Sequence, residues 1–171
     1  MFAYNNNRFG SILETGYGQW GFWQTNPAYR FGMFSVHYFP KDFSALFLSR
    51  PGLIDHVPWL APGVYGGPTI LLTSPVFLWA LKARRADWFN AGAWISVVLI
   101  LLTQLLYADT GGNQFGSQTA QEVYPFLMLL TARGLGGKIS RLAWVAIAVG
   151  LLVNLWGMAY AFTDWWEFAR G

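Results

Sequence analysis

A chain with two histidines and no cysteine has few ways to hold a metal. His37 and His56 stand nineteen positions apart, and no acid falls at a regular ligand spacing from either, so no metal site is assigned. Packing at an interface is the plainer role for both. The serines sit in no strand-turn-helix elbow, and Gly16-Tyr17-Gly18 and Gly66-Gly67 are turn glycines far short of a phosphate loop. Arg8 and Arg30 have the fork geometry that matches phosphate oxygens, although ordinary interfacial arginines are commoner. No cofactor motif is evident, and the sequence is silent on a divalent metal. The carboxylates are Glu14, Asp42, Asp55, Asp87, Asp109, Glu122, Asp164 and Glu167. Of these Glu122 is the most informative, because it stands at the head of an apolar stretch, two residues before Tyr124-Pro125. An acid at membrane depth is costly and points to function, whereas a solvated acid at a helix N-terminus is stabilised by the helix dipole.

What must position these side chains is mostly apolar. Hydrophobic residues make up 54% of the chain and charged residues 11%, against roughly 25% charged in soluble domains. Trp88 to Tyr107 carries no charge and is apolar all round from Val97 to Leu102. At ~1.5 Å per residue it makes a helix of ~30 Å, the thickness of a bilayer core. Leu142 to Phe162 is a second uncharged run. The expected fold class is an all-α integral membrane protein with about four transmembrane helices, at 64–83 (with Pro75 inside), 88–107, 118–136 and 142–162. Charge supports the third and least apolar of these. With four crossings, Lys82, Arg84, Arg85, Arg133, Lys138 and Arg141 all fall on one side, against no basic residue in the loop 108–117. The positive-inside rule makes that side cytoplasmic. Ten Trp, several at span ends such as Trp88, Trp144, Trp165 and Trp166, fit an interfacial belt. The basic residues therefore read as topology, and no nucleic-acid partner is expected.

Three regions follow: an extracytoplasmic or interfacial stretch 1–63, a four-helix transmembrane region 64–163, and a short extracytoplasmic tail 164–171. The first is rich in Gly, Pro, Asn and aromatics, with two short amphipathic pieces near 29–38 and 40–49. Pro40 suits a first helical position, and Phe43, Leu46 and Phe47 recur at helical spacing. These pieces fit helices lying in the membrane interface or, equally, a water-soluble aromatic lid. No signal peptide is visible.

Three stretches carry a resemblance. They are Tyr4-Asn5 through Arg8-Phe9-Gly10-Ser11 to Glu14-Thr15-Gly16-Tyr17-Gly18; Gly32-Met33-Phe34-Ser35 through Tyr38-Phe39-Pro40 to Pro51; and Gly112-Asn113-Gln114-Phe115-Gly116 through Glu122-Val123-Tyr124-Pro125-Phe126. In order and spacing, together with Leu71-Leu72-Thr73-Ser74-Pro75, they resemble the C-terminal part of bacterial GT-C type membrane glycosyltransferases, the protein O-mannosyltransferase and lipid-A sugar-transferase group. Such proteins usually continue Tyr-Arg-Tyr to an Asp after the Gln-Phe-Gly; here Ser117-Gln118-Thr119 lead to Glu122.

The resemblance implies an inverting transfer of sugar from a polyprenyl-phosphate donor to an extracytoplasmic acceptor at the bacterial plasma (inner) membrane. A general base activates the acceptor hydroxyl while the lipid phosphate leaves. Because the family's catalytic carboxylate lies in an earlier loop, it also implies either a C-terminal part, partnered by membrane helices that precede it in the whole enzyme, or a shortened relative without its base. No catalytic residue is assigned. Arg8, Glu14, His37, Gln114 and Glu122 are the expected substrate-binding residues. The alternative is a non-catalytic multi-span membrane protein, an assembly or binding subunit.

Overall fold

A computed structural model describes residues 2–12, 25–55, 57–61, 69–84, 87–109, 115 and 119–170, the last including only the backbone of 119, 120 and 164–170. The described chain is mostly helical. Helix α1 is Phe2–Phe9. After 3-10 turns at Pro27–Tyr29 and Val36–Tyr38, α2 (Phe39–Phe43) continues as a π turn over Ser44–Leu48. A two-stranded antiparallel hairpin pairs β1 (Gly52–Leu53) with β2 (Leu60–Ala61). Then come α3 (Ile70–Thr73), a 3-10 helix Pro75–Lys82, α4 (Trp88–Leu105), a 3-10 turn Thr119–Val123, α5 (Tyr124–Leu135) and α6 (Arg141–Arg170).

Two helices are long and apolar enough to cross a membrane, Trp88–Leu105 and Arg141–Thr163. They match the second and fourth expected spans within a few residues. The other two expected spans are not single helices. The first breaks at Ser74, because Pro75 has no N–H to continue the α3 ladder, and resumes as 3-10 helix. The third starts in 3-10 geometry and becomes α only at Tyr124, with Pro125 in its first turn; Gly136, at φ +62, takes the left-handed conformation that closes it. The expected amphipathic piece at 40–49 is helical, with Pro40 in the first turn, whereas 29–38 is reduced to short turns.

The contacts fix the direction of each rod. Thr73 Oγ1 lies 3.5 Å from the Tyr124 hydroxyl, and Phe77 meets the Tyr124 ring edge-on. At the other end, Gly134 abuts the Trp79 carbonyl so closely that a Cβ would sit 1.9 Å from its oxygen. The 70–82 and 124–135 rods therefore run parallel. Arg133 bonds to Asp87 at 2.5 Å, which sets α4 antiparallel to α5. Along α6, Gly150 packs on the Thr73 carbonyl and Trp156 donates to the Leu60 carbonyl at 2.9 Å.

The result is an up-down-up-down bundle with a buried seam that includes Phe77, Ala80, Val97, Val123, Leu127 and Leu130. Lys82, Arg84 and Arg133 collect at one end, with Lys138 and Arg141 in the turn that follows. Residues 29–55 and 57–61 pack at the opposite end.

Candidate functional site

The segment 29–48 forms a cap joined to the far end of α4 by main-chain pairing. Ser35 N donates to Leu106 O at 2.8 Å and Ala108 N to Met33 O at 2.9 Å, with Phe34 bridged to Tyr107. Tyr29, Tyr38 and Ala108 make a small buried cluster under this seam. The Tyr38 hydroxyl donates to Gly32 O at 2.8 Å and accepts from Phe31 N, which fixes the cap's turn. Lys41 crosses the seam, its Nζ donating to Ala108 O at 2.7 Å.

Beside Lys41 lies the least expected side chain of the fold. Asp42 is 2% exposed, and neither carboxylate oxygen accepts a hydrogen bond. Lys41 Nζ stands 3.5 Å from Oδ1, an ion pair without hydrogen-bond geometry. Burial pushes the Asp42 carboxyl up to about 6; Lys41 opposes that shift and Asp109 adds to it. On the other side of the seam, the Tyr29 hydroxyl donates to Asp109 Oδ2 at 3.3 Å, and burial together with Asp109 pushes the Tyr29 phenol up to about 12. A carboxylate with such a value can exchange a proton near neutral pH, which a solvated Asp does not do.

On the exposed face of the cap, two basic side chains share one ring. The Arg30 guanidinium lies 4.5 Å from the Phe31 centroid, and His37 stacks on Phe31 at 4.1 Å and 12°. Ser35 caps the turn by accepting from His37 N, and its Oγ lies 3.0 Å from His37 Nδ1. Nε2 is thus the ring nitrogen that can meet a ligand. The Phe31 ring thus holds a guanidinium and an imidazole on the exposed face of the cap, each able to donate to anion oxygens.

Of the residues expected from the sequence, His37 belongs to this platform. Arg8 does not: it donates to the Tyr4 hydroxyl within α1 and lies over the Tyr4 and Phe9 rings. Glu122 is exposed in the turn before α5, beside the end of α4 and so at the same end of the bundle as the cap. Glu14 and Gln114 lie outside the described residues, as does His56. Among the described residues there is no cluster of metal-ligating side chains.

Asp42 escaped sequence reasoning, where it counted only as one of the outward acids. No protein family model, curated protein or solved structure matches the chain.

Proposed function

We propose that this chain is an integral membrane protein of the bacterial plasma membrane. The cap faces outward and forms the phosphate-binding wall of a polyprenyl-phosphate-dependent glycosyltransferase. Support for the membrane comes from the long helices. Only 22% of the α4 window and 17% of the α6 window is buried, and Ile95, Val98, Leu99, Leu151, Leu152 and Leu155 are all exposed. A core helix of a soluble domain would be covered; these need an apolar medium. The two broken rods are compatible with crossing. By rise per residue they add to ~22 Å for 70–82 and ~28 Å for 119–135, if each is straight. Their basic ends then face the cytoplasm.

The observation that carries the functional reading is the Arg30–Phe31–His37 platform, on the end this reading places outward, with His37 inside the 32–51 stretch that resembles the transferases. In this reading the platform holds the donor's phosphate. Glu14, Gln114 and Glu122 belong to the same outward face, and the sugar and acceptor complete the site with preceding helices of the enzyme. The test is binding of polyprenyl phosphate by the chain in nanodiscs. The phosphate should bind at least tenfold tighter than the polyprenol lacking it, and Arg30→Gln should remove that difference. Equal binding of the two lipids would sink the reading. The chain by itself should transfer no sugar.

A non-catalytic binding or assembly subunit is the second reading. One observation favours it: Asp42, the acid with the raised value, is sealed from solvent and out of reach of an acceptor hydroxyl.

A further inference from the structure

We propose that Asp42 is a protonation-sensitive latch that fastens the cap to the end of α4, holding it closed when the carboxyl is neutral and loosening it when the carboxyl ionises.

The geometry comes first. Asp42 is sealed within the fold yet has no hydrogen-bond donor on either oxygen, so its ionised form loses water and gains little in return. Among the described residues the cation beside it is Lys41, which also donates across the seam to Ala108 O. The same ammonium stands 3.5 Å from Asp42 Oδ1, so Lys41 joins Asp42 to the seam that holds the cap.

Among the described residues the charged and titratable surroundings are few. From its own segment Asp42 meets Lys41, whose Nζ also lies over the Tyr38 ring. From the segment after α4 comes Asp109, a like charge, with Tyr29 of the 27–29 turn bonded to it and Tyr107 nearby. The apolar elements that pack on this region, α3 and α4, hold no titratable side chain. Nothing else on those elements compensates the buried charge.

The sign follows from linkage. The folded value is raised above that of a solvated Asp, so the stabilisation of the closed cap is complete at low pH and is lost as pH rises through about 6. With a solvated Asp value of about 3.9 in the open state, the opening equilibrium should rise about tenfold between pH 5 and pH 7.5. The latch does not depend on which lipid the platform binds.

The test is hydrogen exchange at the Ser35 and Tyr38 amides of the full chain in nanodiscs, corrected for the intrinsic pH dependence of exchange. In the unaltered protein, protection should fall about tenfold from pH 5 to pH 7.5. Asp42→Asn should abolish the dependence and keep the cap protected at both values. Asp109→Asn keeps an acceptor for Tyr29 and removes the like charge, so the midpoint should move to lower pH; this variant tests the latch even if Asp42→Asn fails to fold. A flat profile in the unaltered protein would overturn the proposal. So would an undiminished pH dependence in Asp42→Asn, or an unmoved midpoint in Asp109→Asn.

Discussion

The unbroken helices and the broken rods of this bundle are drawn from similarly apolar sequence and yet are held in different ways. In α4 and α6 every backbone group away from the ends is paired within the helix, so the surroundings need supply only apolar contact. Most of their surface is uncovered by protein. The rods at 70–82 and 119–135 hold Ala80, Val123 and Leu130 at 0% exposure, a depth that α6 reaches at Ala143 near its start. The break at Ser74 lies where another helix covers it, which is where a chain read as spanning a membrane can accommodate one.

The clearest case is the break at Ser74. The Thr73 carbonyl would have bonded to Phe77 N in a continuous helix, but that amide bonds to Ser74 O instead. Asn154 of α6 supplies the missing donor, its Nδ2 lying 3.0 Å from Thr73 O and 2.7 Å from Gly150 O. Gly150 makes the approach possible, since a Cβ there would stand 2.9 Å from the same carbonyl. Small residues and an interhelical amide hold these rods together.

The contrast can be broken by substitution, most severely at the buried contact. Gly134→Ala drives a methyl into the Trp79 carbonyl, and no flexible side chain can yield there. A loss of about 3 kcal/mol is expected, read from the unfolding midpoint in mild detergent. The same change at Gly92, in α4, meets nothing within 4 Å and should instead stabilise by up to about 1 kcal/mol. Similar losses at both positions would erase the distinction between the two kinds of rod.

Asn154→Leu leaves the Thr73 carbonyl unpaired and should cost about 1 to 2 kcal/mol in the same measurement. Asp87→Asn should have the smallest effect. The Phe89 amide and Arg133 hold the exposed Asp87 carboxyl below the usual range. Its contribution is therefore present above the ordinary Asp value and disappears as pH falls through the lowered one. The variant should differ from the unaltered protein only above that window, by a small shift in melting temperature.

Much of this architecture was legible in the sequence, and the reasons are local. Uninterrupted apolar runs marked α4 and α6 within a few residues, because their pairing needs no partner. The basic residues gave the grouping of Lys82, Arg84 and Arg133 at one end without any knowledge of packing. Pro75 announced a defect, but the freed Thr73 carbonyl is met by Asn154, 81 positions away in another helix. The site was less legible. His37 and Arg30 were visible as basic residues on one face, whereas their convergence on Phe31 needed the Ser35 cap. Asp42 could not be read as buried, because it lies beside a seam that Lys41 makes with Ala108, more than sixty residues later.

The central claim is a bundle with two chemically distinct ends on opposite sides of a membrane. Single cysteines at Leu53, in the exposed hairpin, and at Lys138, in the turn between α5 and α6, test it most directly when challenged with an impermeant thiol reagent on sealed, oriented vesicles. The account expects Leu53→Cys to label from the outer side only and Lys138→Cys only after the vesicles are opened. Labelling of both from the same side of intact vesicles would contradict it.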